Sequence, residues 1–113
     1  MIEVNVAQQG QVAVITVVGR VDSNTASEFD ASLTGVIDKG TTQIVVDLSA
    51  VNYMSSAGLR VLVSALQKVQ RVSGDVRLVQ PTERVQEIIE MSGMDTIFQI
   101  FSTQVAATNS YTN

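Results

Sequence analysis

Two adjacent serines, Ser55 and Ser56, lie where a buried strand pattern gives way to a helix pattern. A serine at a helix start can cap the unpaired N–H groups of the first turn, a position where serine is strongly preferred. It can act as a nucleophile only with a base, and the chain contains no histidine. It can also accept a phosphate, whose charge the helix dipole stabilises. The residue types alone favour capping over phosphorylation.

The composition excludes most catalytic and metal-binding chemistry. The 113 residues contain no cysteine and no histidine. The chain therefore lacks disulfides, thiolate metal sites, cysteine nucleophiles and every Ser-His-Asp arrangement. Acidic pairs such as Glu87 and Glu90 lie on an exposed helix face, and there is no glycine-rich phosphate loop. We expect neither a metal nor a cofactor, and we do not expect an enzyme.

The charge pattern predicts a protein that binds neither nucleic acid nor membranes. Seven basic and eleven acidic residues give a formal net charge of −4, with no basic stripe. The first residues, MIEVNV, lack the basic start and apolar core of a signal peptide. The long uncharged stretches, residues 4–19 and 96–113, are interrupted by polar side chains, so neither predicts a membrane-spanning helix. We expect a cytoplasmic protein.

The segments that must position the two serines alternate between strand and helix patterns. Hydrophobic periodicity predicts strands at residues 2–6, 12–18, 43–48, 75–80 and 97–101, and helices at about 25–39, 56–73 and 81–91. The order ββαβαβαβ(α) predicts an α/β fold in which crossover helices join a mixed sheet of about five strands. The length suits a single domain over residues 1–113, with a frayed polar tail from about residue 107.

Helical spacing divides the residues after Ser56 between two faces. The stripe expected to pack on the sheet consists of Leu59, Leu62, Leu66 and Val69. Ser56, Arg60 and Val63 lie on the opposite side, where Arg60 is one turn beyond Ser56 and is placed to pair with a phosphate. Two simpler alternatives stay open, namely that Arg60 is a solvated charge and that Val63 is an isolated exposed valine.

Other residues near the serines have local roles by type and spacing. Thr25 and Glu28 have the spacing of a capping box at the first helix start. Asp22 lies between a strand and a helix, where aspartate favours turn and cap hydrogen bonds. Four further side chains are expected to serve packing: Tyr53, Met54, Met91 and Met94.

Three motifs resemble those of one family. The segment MSSAGLRVL after DLSAVNY resembles the switch region of STAS-domain proteins, which include anti-sigma factor antagonists. In the antagonists this region reads Asp-Ser-(Ser/Thr/Ala)-Gly-Leu, and the serine after the aspartate is phosphorylated. That serine matches Ser56, with Ser55 in place of the aspartate and Ala57 and Gly58 following. GRVDSNTASEF and EMSGMDTIFQIF resemble the family's earlier and closing elements, and the former aligns Asp22 and Thr25.

The resemblance implies a bacterial regulatory protein that switches partners. In its unphosphorylated form it would bind an anti-sigma factor, a GHKL-type serine kinase, and so release a sigma factor for transcription. Phosphorylation of Ser56, or as second choice Ser55, would break this complex, and a PP2C-type phosphatase would restore it. The expected partner-binding residues are Asp22, Thr25, Ser55, Ser56, Ala57, Gly58, Arg60 and Val63. The alternative is a STAS subunit, not phosphorylated, of a membrane lipid-transport complex or another regulatory complex.

Overall fold

The computed structural model describes residues 2–111, which form one five-stranded sheet in the strand order β1-β2-β3-β4-β5. The elements are β1 Ile2–Gln9, β2 Val12–Val21, α1 Ala26–Asp38, β3 Gln43–Met54, α2 Ser56–Gln70, β4 Asp75–Val79, α3 Glu83–Met91, β5 Ile100–Phe101 and α4 Gln104–Asn109, with a short 3₁₀ turn at Met94–Thr96. The predicted α/β class and element order, including the final helix, are confirmed. No helix within the described range is long and apolar enough to cross a membrane.

The sheet contains one antiparallel pair of strands and three parallel pairs. β1 and β2 pair antiparallel through a two-residue turn, in which Gly10 adopts a φ of 63° that glycine tolerates. β2, β3, β4 and β5 pair parallel, which requires crossover connections. The carboxyl ends of β2 and β3 therefore meet at one edge of the sheet, and Ser55 and Ser56 follow β3 there.

Helices α1, α2 and α3 bury their apolar stripes on one face of the sheet. The predicted stripe of α2 is confirmed, since Leu59, Leu62, Leu66 and Val69 are all buried. They join apolar residues of β2, β3 and β4 in one hydrophobic core. Burying such side chains is the dominant favourable term in folding. This packing fixes α2, and with it the two serines, on the sheet.

The opposite face carries a second, smaller core that α4 covers. It contains Val12, Val14, Val45 and Val79, packed against Ala107. The prediction of a frayed tail from residue 107 was therefore wrong for residues 107–111, because Ala107 and the aromatic ring of Tyr111 cover valines that would otherwise contact water. Residues 112–113, to which the prediction also applied, lie outside the described range.

Most predicted boundaries differ from the structure by a few residues, and three of these differences have a visible cause. β3 extends to Met54, where a loop was predicted after residue 48, because its second half pairs with β2 across two register shifts. The last strand is limited to Ile100–Phe101, because the preceding residues form a 3₁₀ turn. Helix α3 begins at Glu83, since Thr82 accepts a hydrogen bond from Val85 N–H and is the N-cap.

Candidate functional site

Ser55 and Ser56 lie between β3 and α2 and have different roles. The Ser55 N–H donates to the carbonyl of Val21 over 2.8 Å, which ties this junction to the end of β2. The Ser55 side-chain oxygen accepts a hydrogen bond from Gly58 N–H at 3.4 Å, so Ser55 is the N-cap of α2. Ser56 is the first helical residue and is exposed, and its hydroxyl bonds to no other residue in the range 2–111.

Gly58 lets the first turn of α2 approach the sheet closely. A Cβ atom at this position would lie 2.7 Å from Val21 Cγ1 and 2.9 Å from Met54 Cγ, closer than packed carbon atoms allow. Ala57 beside it is half-buried. The glycine therefore sets the height of the first turn above β2 and β3, and with it the position of Ser56.

Asp22 organises the turn between β2 and α1. Its Oδ1 accepts hydrogen bonds from the N–H groups of Asn24, at 2.9 Å, and Thr25, at 3.2 Å. Its Oδ2 lies 3.2 Å from Arg20 Nε. The bond from Asn24 is the main cause that lowers the pKa of Asp22 below its usual value of 3.8, because it favours the carboxylate. The predicted turn-forming role of Asp22 is confirmed.

Thr25 does not form the predicted capping box with Glu28. Its hydroxyl donates to the Arg20 carbonyl at 2.8 Å and accepts from Asp22 N–H at 2.9 Å, so it bonds toward the strand and not to the first turn of α1. Thr25 is only 5% exposed, because the turn closes around it. The residue therefore braces the turn that presents Asp22, while its own contact with a partner protein stays a prediction.

A shallow apolar groove of about 280 Å³ lies beside Ser56. Its walls come from the outer face of α2 and from the segment after α3, and its lining residues are Ser56, Leu59, Arg60, Val63, Ser92 and Met94. Val63 was predicted to be exposed, but it is half-buried against the core beside this groove. The face of α2 that looked polar by spacing therefore has an apolar centre, with Ser56 and the exposed Arg60 at its rim.

Tyr53 is not the core residue that was predicted. It is half-buried, and two guanidinium groups lie over its ring, with Arg20 Cζ at 4.1 Å and Arg84 Cζ at 5.7 Å from the ring centre. Met54 next to it is fully packed, as expected. The prediction for Met91 was wrong, since this residue is 87% exposed at the end of α3, whereas Met94 packs against the core as expected.

A larger concavity is far from the serines along β3. It has a volume of about 500 Å³ and lies at the amino ends of β3 and β4, with Gln43, Asp75, Arg77 and Tyr111 among its lining. Its polar groups are engaged with one another, since Arg77 bonds to Asp75 and stacks on Tyr111. Within residues 2–111, no group of three or more acidic residues is placed to hold a metal ion.

Comparisons with known proteins show the family to which this chain belongs. The model of the STAS domain family matches residues 3–107. BtrV of Bordetella bronchiseptica is 36% identical over 89 residues, covering 79% of this chain and 77% of BtrV. The anti-sigma-F factor antagonist RsfB of Mycobacterium tuberculosis is 32% identical over 102 residues, covering 90% of this chain and 83% of RsfB. The chain belongs to the STAS domain family.

A solved structure has the same architecture. The crystal structure of an anti-sigma factor antagonist from Mycobacterium paratuberculosis has a TM-score of 0.92 and 26% sequence identity, and the match covers 100% of this chain and 96% of that one. The family and fold predicted from the three sequence motifs are therefore confirmed.

Proposed function

We propose that this chain is an anti-sigma factor antagonist that binds an anti-sigma factor serine kinase while Ser56 is unphosphorylated and is released when Ser56 is phosphorylated. The observation that carries the proposal is the exposed, unbonded hydroxyl of Ser56 at the rim of an apolar groove. The name of RsfB, an anti-sigma-F factor antagonist 32% identical to this chain, supports the same function. Binding would release a sigma factor, and a PP2C-type phosphatase would reset the protein.

The groove supplies the binding surface of the unphosphorylated form. Leu59, Val63 and Met94 present apolar atoms that a partner side chain can cover, which is how the centre of an interface gains affinity. Arg60 at the rim has no ion pair within residues 2–111, so it is available to a carboxylate of the kinase. Asp22 follows Val21, whose carbonyl accepts the hydrogen bond from Ser55 N–H. Its carboxylate is ionised and is held in place by the turn. The surface around Ser56 can therefore make both apolar contacts and ion pairs with the kinase.

Phosphorylation acts on this surface without disturbing the fold. A phosphate at the first residue of α2 lies beside the positive end of the helix dipole, which contributes about 0.3–1 kcal/mol to its stabilisation. Arg60, one turn further on, can add a charge-assisted hydrogen bond. The kinase would meet roughly −1.5 to −2 units of new charge at the edge of an apolar contact. Arg60 and the helix dipole offset only part of the cost of burying that charge against the kinase, so the complex dissociates.

The first test is the position of the phosphate. Incubation with a GHKL-type serine kinase encoded near this protein's gene, and with ATP, should modify Ser56, as mapped by mass spectrometry. Ser56→Ala should abolish the modification, and Ser55→Ala should retain it. Phosphate on Ser55 with none on Ser56 would show that the register is wrong. If neither serine is phosphorylated, the result favours the alternative function, in which the chain is a STAS subunit of a membrane lipid-transport complex.

The second test is the effect of charge on the complex. Ser56→Asp should weaken binding to the kinase by at least tenfold, about 1.4 kcal/mol, in a calorimetric titration. Its melting temperature should stay within a few degrees of wild type, since Ser56 makes no contact that the change removes. The matched control is Ser102→Asp, the same change at an exposed serine beyond β5. Equal affinities for the two variants would contradict the electrostatic account.

A further inference from the structure

Strand β1 leaves one long edge of the sheet open. Within residues 2–111, β1 pairs only with β2, whereas the opposite edge strand, β5, has two residues and is followed by α4, which packs beside it. An open strand edge presents unpaired backbone N–H and C=O groups that can pair with another strand. The eight residues of β1 thus form the longest unpaired edge in the described structure.

The usual protections of an edge strand are missing from β1. Natural edges are commonly short, carry lysine or proline, or are twisted away by a bulge. β1 reads IEVNVAQQ, with Glu3 as its one charged residue, and its register with β2 runs without a shift from Ile2 to Gln9. This edge is therefore regular enough to accept a further strand.

The hairpin geometry identifies which backbone groups face outward. Gln9 pairs with Val12 across the two-residue turn, and in such a hairpin this pair exchanges both of its hydrogen bonds. Bonded and non-bonded pairs alternate along an antiparallel ladder, so the odd-numbered residues of β1 bond to β2. The outward N–H and C=O groups belong to Ile2, Val4, Val6 and Gln8.

The same even-numbered residues leave apolar surface at the edge. Their side chains share the helix-bearing face of the sheet, where Ile2 and Val4 pack partly against the core. Val6 is not covered and remains 49% exposed. A strand added beside β1 would therefore satisfy the outward backbone groups and cover Val6 at once.

We propose that β1 pairs antiparallel with β1 of a second copy of this chain, about a two-fold axis at Asn5. This register joins Val4 to the partner's Val6 and Ile2 to the partner's Gln8, so it alone uses all the outward residues. It also separates the two Glu3 carboxylates and sets each opposite the partner's Ala7. A closed, isologous pair of this kind is the commonest form of protein assembly. The pairing needs neither a kinase nor a phosphate and goes beyond the proposed function.

Two substitutions of opposite charge at Ala7 test both the strand pairing and its register. Ala7 is exposed, and its backbone bonds to β2, so substitution leaves the fold intact. Ala7→Lys would place an ammonium group opposite the partner's Glu3 twice in each dimer, and Ala7→Glu would place a carboxylate there. Sedimentation equilibrium should give a dimer dissociation constant about fivefold lower for Ala7→Lys and about fivefold higher for Ala7→Glu than for wild type.

Two further sets of variants make the result decisive. Gln67→Lys and Gln67→Glu change the net charge equally at an exposed position on α2, and each should shift the dissociation constant much less than its Ala7 counterpart. Val6→Lys should abolish the dimer while circular dichroism stays native. A wild-type chain that remains monomeric up to about 1 mM would overturn the proposal. Equal effects at positions 7 and 67 would overturn it as well, because they would show a response to net charge alone.

Discussion

Ser55 and Ser56 differ by one position, and that position decides which hydroxyl another molecule can reach. Ser55 has the extended backbone of an N-cap, with ψ at 173°, which turns its oxygen toward Gly58 N–H. Ser56 already belongs to the helix and is exposed, and its hydroxyl bonds to no other residue in the described range. The antagonists that the chain resembles have aspartate where Ser55 stands. Because aspartate and serine cap helices about equally well, this substitution keeps the local structure.

The capping role of Ser55 can be measured as stability. Ser55→Ala removes the acceptor of Gly58 N–H and should lower the free energy of unfolding by about 0.5–2 kcal/mol, the usual cost of losing an N-cap. Ser55→Asp should stay close to wild type, because its carboxylate accepts the same bond and suits the helix dipole. Urea unfolding of the three proteins checks this. If Ser55→Asp lowered the free energy of unfolding as much as Ser55→Ala, the stability lost would not come from the N-cap hydrogen bond.

At the residue scale, the sequence predicted what depends on neighbours along the chain. The helix start at Ser56 and the turn role of Asp22 follow from local preferences. The hydrogen bond that the Thr25 hydroxyl donates does not, because its acceptor, the Arg20 carbonyl, lies five residues back on β2. Nor does the environment of Tyr53, whose two arginines come from β2 and from the start of α3. These contacts exist only after strands and helices have assembled.

Two helical glycines lie in different surroundings, since Gly58 faces the sheet in α2 and Gly35 lies on the exposed side of α1. Gly58→Ala should destabilise the protein by about 1–3 kcal/mol, because the added methyl group would overlap Val21 and Met54. Gly35→Ala is the matched control within α1, where a Cβ meets nothing within 4 Å. It should stabilise the protein by about 0.5–1 kcal/mol through helix propensity. Thermal or urea unfolding that gave the same sign for both would contradict the packing described for α2.

Element boundaries were predictable where periodicity was strong and failed where packing overrode it. The stripe of α2 is regular, and its buried residues match the prediction. The second half of β3, residues 49–54, reads as a loop because polar and apolar residues do not alternate there, yet β2 continues beside it and supplies ladder partners. Helix α4 has only six residues, and its start depends on Thr103, which accepts a hydrogen bond from Ala106 N–H.

At the scale of the whole molecule, the two faces of the sheet are covered unequally. One face carries three helices, and the other carries the six-residue helix α4. So short a helix is not stable by itself, and tertiary contacts must hold it. Its ends are tied to the sheet, since Gln104 Nε2 donates to Asp47 Oδ2 at 2.6 Å and Arg77 donates to Ser110 Oγ at 2.6 Å. Residues 102–111 are thereby part of the fold.

Tyr111 completes this attachment at the amino ends of β3 and β4. Its hydroxyl lies 2.8 Å from the Ile44 carbonyl and 2.7 Å from the Asp75 carbonyl, and it accepts a hydrogen bond from Ile44 N–H. The Arg77 guanidinium stacks on the ring at 3.9 Å. Burial chiefly, and the nearby Asp75 carboxylate, raise the pKa of Tyr111 above its usual value of 10.0. The phenol must therefore stay neutral to hold its place.

This requirement predicts a loss of stability at alkaline pH. In the unfolded chain Tyr111 ionises near its usual pKa of 10.0, while in the folded chain it keeps its proton. The unfolded state then binds fewer protons, so the stability that the neutral phenol contributes is complete below pH 10 and declines as the pH rises above it.

Tyr111→Phe loses the hydrogen bonds and should be less stable by about 1–3 kcal/mol at neutral pH. Because all other groups titrate in both proteins, the difference in unfolding free energy between wild type and Tyr111→Phe isolates this residue. Urea unfolding across the pH range should show a constant difference up to about pH 9 and a shrinking one above pH 10. A difference that stays constant throughout would mean that Tyr111 ionises as readily in the folded chain as in the unfolded one.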